Sequence, residues 1–179
     1  MEKKTDVMDL DRCISKIAHD DPFALEELYR EFCDPIYRFA LMNVRDQSVA
    51  EDIMQTTFLR IMAGAGTYKL GTNARAWIFS IARNACKDHH KRKIPIAEDF
   101  DPAYAADESS IDDLTDSIAV KEVVEKLSYL EKEILSLYIF GGLKQTEIAK
   151  ILGISYIKVR SKYGYVLKKL RKELQGYEK

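Results

Sequence analysis

The chain has 179 residues, 46% hydrophobic and 32% charged, with a formal net charge of −1; at the usual ~100–200 residues per domain it holds two minimal units at most. No apolar run of ~18 residues occurs and the opening MEKKTDVMDLD lacks the apolar stretch of a secretory signal, so neither export nor membrane insertion is expected and the chain is expected to stay in the cytoplasm. Cys13, Cys33 and Cys86 are odd in number and too far apart for a CxxC metal or redox motif, so they are expected to be reduced and mostly buried.

In chain order, Phe23, Leu28, Phe32, Ile36, Phe39 and Ala40 follow helical spacing, and Pro35 predicts a break there with Asp34 as the N-cap of a fresh helix. Ser48 and Glu51 form a capping-box pattern that predicts a helix to about Ala63, ended by Gly64 and Gly66. The loop TYKLGTN follows, then a helix from about Ala74 to Lys91 that buries Trp77, Ile78, Ile81 and Ala85 before Pro95 stops it. On this helix Arg83, Lys87, His90 and Lys91 share one face, bordered by Asn84, which suits a nucleic-acid strand or simply answers the helix dipole. His89 and His90 are adjacent, so they cannot converge on one metal from a helix; neither a metal nor a cofactor is expected. The stretch AEDFDPAYAADESSIDDLTDS, with eight acids and no base, cannot bury enough apolar surface to fold alone and reads as a self-repelling linker. Helices are predicted near 115–127, 130–140, 144–152 and 155–174. No segment alternates with period two, so the expected fold is all-α: two small helical domains, 1–95 and 117–179, joined by a flexible acidic linker, 96–116.

Chemistry concentrates in residues 143–172. Leu143, Ile148, Ala149, Ile151, Leu152, Gly153, Ile154, Val159, Leu167 and Leu170 read as a helix-turn-helix, with Ala149 small at the helix crossing, Gly153 supplying positive φ at the turn, and Val159 entering the groove between the helices. From Ile154 to Lys172 there are seven basic residues (Lys158, Arg160, Lys162, Lys168, Lys169, Arg171, Lys172) and no acid. A solvated face normally mixes signs, whereas phosphate neutralisation demands one, so the second helix fits a DNA major groove. Recognition helices touch base edges near their N-termini. That makes Lys158, Arg160 and Ser161 candidate groove contacts, and Lys168, Lys169 and Arg171 candidate phosphate contacts.

The segments DDPFALEELYREF, AEDIMQTTFLRIM, ARAWIFSIARNACKDHHKRK and LSYLEKEILSLYIFGGLKQTEIAKILGISYIKVRSKYGYVLKKLRKEL resemble, in order and spacing, the extracytoplasmic-function (ECF) group of bacterial sigma factors over about 130 residues in two blocks. The resemblance implies a region-two domain, a region-four domain, and a dissociable, non-enzymatic subunit of RNA polymerase that recognises minus-ten and minus-35 elements and helps melt DNA. Asp52 and Gln55 match polar positions of the helix that grips the beta-prime coiled coil of core polymerase, and Leu59 shares their face. The implied partners are the beta-prime and beta subunits, promoter DNA and an anti-sigma factor. Residues 66–73 match the loop that captures a flipped base, Asn84 matches an asparagine of that site, and Arg83 and Lys87 would hold strand phosphates, with Lys91 on the same basic face a further DNA-binding candidate. Ser155 to Lys162, including Lys158, Arg160 and Ser161, match the part that reads the minus-35 element, and the acidic linker matches the segment threaded toward the RNA exit path.

Two departures stand out: Lys162 is followed by Tyr163, Gly164 and Tyr165 where the family is usually rich in arginine, and TYKLGTN is poor in arginine. Other classes fit less well. A stand-alone helix-turn-helix regulator would normally dimerise, and no sustained heptads are present. A hydrolase built on the carboxylates around Asp52 and the His89/His90 pair lacks a nucleophile, base and orienting group, so no catalytic residue is expected.

Overall fold

The structure, a computed structural model, describes residues 8–93 and 123–177. It bounds the helices α1 (Leu10–Ile17), α2 (Pro22–Val44), α3 (Gln47–Gly64), α4 (Ala74–Lys93), α5 (Tyr129–Ile139), α6 (Gln145–Leu152) and α7 (Tyr156–Tyr177). No strand occurs among the described residues, in line with the all-α expectation. The expected linker lies outside the described residues, as does most of the helix expected near 115–127; residues 123–125 are helical.

Two expected boundaries are corrected. Asp34 does not start a new helix, because α2 runs through Pro35 without interruption. A proline inside a helix costs about 3 kcal/mol. Leu28, Phe32, Ile36, Phe39 and Ala40 are all fully buried on either side of it, and each large apolar side chain returns about 1.5–3 kcal/mol on burial. Packing therefore outweighs the local break, and Asp34 instead accepts twice from Arg38 Nε, at 2.8 and 3.0 Å. The second correction concerns α3, whose N-cap is Asp46, accepting from Val49 N at 3.0 Å, rather than Ser48. Arg45 ends α2 in the left-handed region (φ 56°) and Asp46 opens α3 in extended backbone, so two residues reverse the chain and leave Ser48 already inside the helix.

α2, α3 and α4 pack together around Phe32, Phe39 and Phe79, with Phe39 and Phe79 edge to face at 5.6 Å. Cys13 and Cys86 are buried and Cys33 is half-buried, and all three are free thiols. Burial, with Glu27 nearby, pushes the Cys13 thiol up to about 11. Burial raises Cys86 too.

The two helical regions share one core. Ile134, Leu137, Leu143, Ile148, Ala149 and Val159 join the same apolar cluster as the α2–α4 residues, and α5 lies against α2. Met42 of α2 reaches a second cluster with Val124, Leu127, Leu135 and Val166. Polar contacts fasten the junction: Asn43 Nδ2 donates to Ser136 Oγ at 3.0 Å, Asn73 Nδ2 to Glu147 Oε1 at 2.7 Å, and Arg45 pairs with Glu125 at 3.8 Å.

The helix-turn-helix is built as its sequence indicates. Ala149 and Val159 are buried at the crossing, and Gly153 caps α6 at φ 68°, ψ 30°. An L side chain in that conformation costs about 1–2 kcal/mol. Gly153→Ala is accordingly expected to lower stability by about 1 kcal/mol in a thermal melt, although a Cβ there would meet no neighbour. A melt equal to that of the wild type would show the turn to be relaxed.

Candidate functional site

Three surfaces carry the candidate residues. On α3, Asp52 and Gln55 are exposed and Leu59 is 66% exposed, while Ile53 and Ile61 point into the core. Asp52, Gln55 and Leu59 stand at i, i+3 and i+7, so the helix presents them along one outward line. Gln55 also borders an open groove of about 350 Å³ between α2 and α3, lined by Tyr29, Cys33, Asp34, Tyr37, Glu51 and Met54. The face offers hydrogen-bonding groups beside exposed apolar area, a combination suited to a protein partner.

The second surface is the loop before α4 together with α4 itself. Asp11 of α1 pins the loop: its Oδ1 accepts from the Tyr68 hydroxyl at 2.6 Å and its Oδ2 from Gly71 N at 3.0 Å. Gly71 sits at φ 78°, which only glycine adopts readily. Tyr68 packs on Trp77 at 5.0 Å, and burial, then the Asp11 hydrogen bond, raises its hydroxyl pKa. An open groove of about 550 Å³ runs between this loop and α1, lined in part by Leu10, Thr72, Asn73 and Arg75. Along α4, Asn84 and Lys91 are exposed and Lys87 is half-buried.

Arg83 has a different setting. Its Nε donates to Glu133 Oε1 at 2.7 Å, its second terminal nitrogen lies 3.4 Å from Oε2, and its first donates to the Ile151 carbonyl at 3.2 Å. The Arg83 and Glu133 side chains are only 14% and 3% exposed. One guanidinium therefore ties α4 to α5 and α6. The same face of α4 continues to His90, whose ring meets Tyr129 edge-on at 5.2 Å. The basic face read from the sequence is thus covered, over part of its length, by α5.

The third surface is α7. Ser155 caps it, accepting from Lys158 N at 3.3 Å, and Lys158, Arg160, Ser161 and Lys168 are exposed opposite buried Val159 and Val166. Lys162 is turned back to Glu131, 3.0 Å away. Glu131 also completes a capping box with Ser128 at the start of α5. Burial alone would raise the Glu131 carboxyl, but hydrogen bonds from Lys162 and Ser128 outweigh it and hold the pKa below the ordinary glutamate range.

A carboxyl held low in the folded state contributes stability that is fully present above its unfolded pKa, about 4.3. That contribution is lost as the pH falls through the lowered value. Stability is expected to drop as the pH falls below about 4.3, and Glu131→Gln is expected to flatten this slope. Melting temperatures at a series of acidic pH values test it, and an equal slope in the variant would remove Glu131 as its source.

Two family profiles match the chain, Sigma-70 region 2 over residues 28–94 and Sigma-70 region 4 over residues 123–172. The RNA polymerase sigma factor CarQ of Myxococcus xanthus is 30% identical over 161 residues, covering 86% of this chain and 90% of CarQ. The chain belongs to the ECF group of the sigma-70 family. The ECF sigma factor SigM of Bacillus subtilis is 28% identical over 144 residues, covering 76% of this sigma factor and 86% of SigM. Among solved structures, that of CnrH in complex with the cytosolic domain of CnrY has a TM-score of 0.70 at 20% identity, covering 94% of this chain and 99% of CnrH. The sigma factor RpoE from Bartonella quintana, in complex with the anti-sigma factor NepR, has a TM-score of 0.64 at 19% identity, covering 84% and 96%. These two likenesses concern the fold alone.

In this sigma factor, region 2 corresponds to α2–α4 and region 4 to α5–α7. Sequence reading missed Glu133, Asn43 and Ser136, which fasten the regions to each other, and Glu131, which acts within region 4; Glu133 and Glu131 hold two of the candidate DNA-binding cations. A signal was present in LSYLEKEILSLYIF: apart from Glu-Lys-Glu and Ser136 the helix is apolar, and a helix apolar on most sides is buried. Glu131, Lys132 and Glu133 are in fact all buried.

Proposed function

We propose that this sigma factor binds core RNA polymerase through the α3 face of Asp52, Gln55 and Leu59, and directs it to promoters by reading a minus-35 element with α7 and a minus-ten element with the α4 region. The observation that carries this reading is the coexistence, in one chain, of region 2 with an outward polar and apolar helix face and region 4 with a helix, α7, that carries cations and no acid from Tyr156 to Lys172. Lys158, Arg160 and Ser161 stand where base edges would lie, with Ser155 fixing the helix start. Lys168 stands further along, where phosphates would lie. Asn84 is available to an unpaired base, and Lys87 and Lys91 to the strand backbone. Arg83 and Lys162 join these contacts when Glu133 and Glu131 release them.

The chain supplies specificity and assists melting, while the core enzyme makes phosphodiester bonds. Among the described residues no helix is long and apolar enough to cross a membrane, consistent with work on cytoplasmic DNA. RpoE of Bartonella quintana, of similar fold, is seen with the anti-sigma factor NepR, and an anti-sigma protein covering both the Asp52 face and α7 would silence this sigma factor. Run-off transcription with purified core polymerase tests the reading. A specific transcript is expected only when the protein is added; promoter binding without core and without a transcript would mark a stand-alone regulator instead.

A base-edge contact discriminates by about 1–3 kcal/mol, whereas a phosphate contact weakens all sequences alike and changes the salt slope by about one unit. Arg160→Ala is therefore expected to relax preference within the minus-35 element. Lys168→Ala is expected to lower affinity evenly and flatten the salt dependence. Binding curves on promoter variants at several salt concentrations separate the two.

A further inference from the structure

The outward midline of α7 is not basic at its centre. Ile157, Arg160, Ser161, Gly164 and Lys168 stand at i, i+3, i+4, i+7 and i+11, on the side opposite Val159 and Val166, which are fully buried. Ile157 is 77% exposed, in the first turn of the helix. A single exposed isoleucine is ordinary on a protein surface. This one lies beside Lys158 and one turn before Arg160 on a helix with seven cations and no acid from Ile154 to Lys172, a surface whose charge matches a polyanion rather than an apolar protein partner.

Gly164 is the second observation. It lies inside α7, in helical backbone, exposed, and a Cβ added to it would meet nothing within 4 Å. Among the other described glycines, Gly71, Gly142 and Gly153 have positive φ and a Cβ on Gly141 would strike the Leu137 carbonyl at 2.4 Å, whereas Gly64 and Gly66, at and just past the end of α3, have room for one. A mid-helix glycine forfeits about 1 kcal/mol relative to alanine, and nothing among the described residues requires Gly164. Gly164 lies open on the same outward line as Ile157.

Resting on the reading of α7 as the minus-35 helix, we propose that Ile157 recognises a thymine through its C5-methyl group in the major groove, and that Gly164 stays bare so the helix can seat deeply enough for that contact. Thymine is the one base that offers an apolar group in the major groove, so an exposed aliphatic side chain at the reading end of the helix has a defined target. The bare position two turns on lets the groove wall approach the helix backbone.

The test uses holoenzyme reconstituted with core polymerase and a promoter duplex selected by that holoenzyme from a library randomised over the minus-35 element. Each thymine of the element is replaced in turn by deoxyuridine, which removes only the methyl. One position is expected to weaken wild-type binding about fourfold, the effect of exposing one buried methyl. Ile157→Ala should bind the thymine and uracil duplexes alike at that position. Gly164→Ala is expected to raise the melting temperature of the protein while weakening promoter binding by about tenfold, opposite signs that a merely structural role would not produce. Indifference of the wild type to every uracil substitution, or wild-type promoter binding by Gly164→Ala, overturns the inference and leaves the sigma-factor reading standing. Failure of the holoenzyme to select any duplex overturns both.

Discussion

Glu133→Ala is expected to destabilise the chain by about 3–5 kcal/mol while the two helical regions stay packed, because it strands the Arg83 guanidinium without its carboxylate. Arg83 is 14% exposed, so water cannot replace Glu133 in place. The loss is limited by the strength of the junction, since parting of α4 from α5 would let Arg83 hydrate. Two readouts separate the outcomes: a lower melting temperature while the regions stay packed, and a larger radius of gyration by small-angle scattering once they part. Arg83→Lys is expected to recover little, since an ammonium cannot reach both Glu133 oxygens and the Ile151 carbonyl as the guanidinium does. A Glu133→Ala protein with the wild-type melt and size would show that the pair contributes nothing to the junction.

Asp52→Arg is expected to abolish co-purification with core RNA polymerase. The side chain is exposed on α3, so the substitution should change stability by no more than about 0.5 kcal/mol, and circular dichroism should report unchanged helix content. Reversing a charge at an interface opposes the partner's potential as well as deleting a contact, which makes it a harsher test than alanine. Leu59→Ala, removing exposed apolar area from the same line, should weaken binding less. Recovery of normal amounts of core with Asp52→Arg would move the polymerase contact elsewhere.

The features that the sequence disclosed are those set by local chemistry. Gly153 takes the positive φ of the turn, and Ala149 and Val159 are buried at the crossing, each as its local setting requires. The family resemblance singled out Asp52 and Gln55, and helical periodicity put Leu59 on the same outward line. Pro35 misled because its local preference is overruled by burial of Phe32, Ile36 and Phe39, which no window around the proline weighs. Ser48 misled because Asp46, two residues earlier, competes for the same capping role and wins by standing at the chain reversal. The partners of Arg83 and Lys162 were beyond reach for a different reason: Glu133 is 50 positions from Arg83 and Glu131 is 31 from Lys162. A cation's spacing on its own helix says nothing about a distant helix that comes to lie over it.

The carboxylate that Arg83 holds belongs to the same molecule, and this gives it the standing of a tethered competitor. An intramolecular ligand acts at an effective concentration of order millimolar or above, however dilute the protein. Any external anion that would use Arg83 meets that competitor first, and its apparent affinity is scaled by the fraction of molecules in which the pair is open. Dilution releases a dissociable inhibitor; it leaves Glu133 where it is.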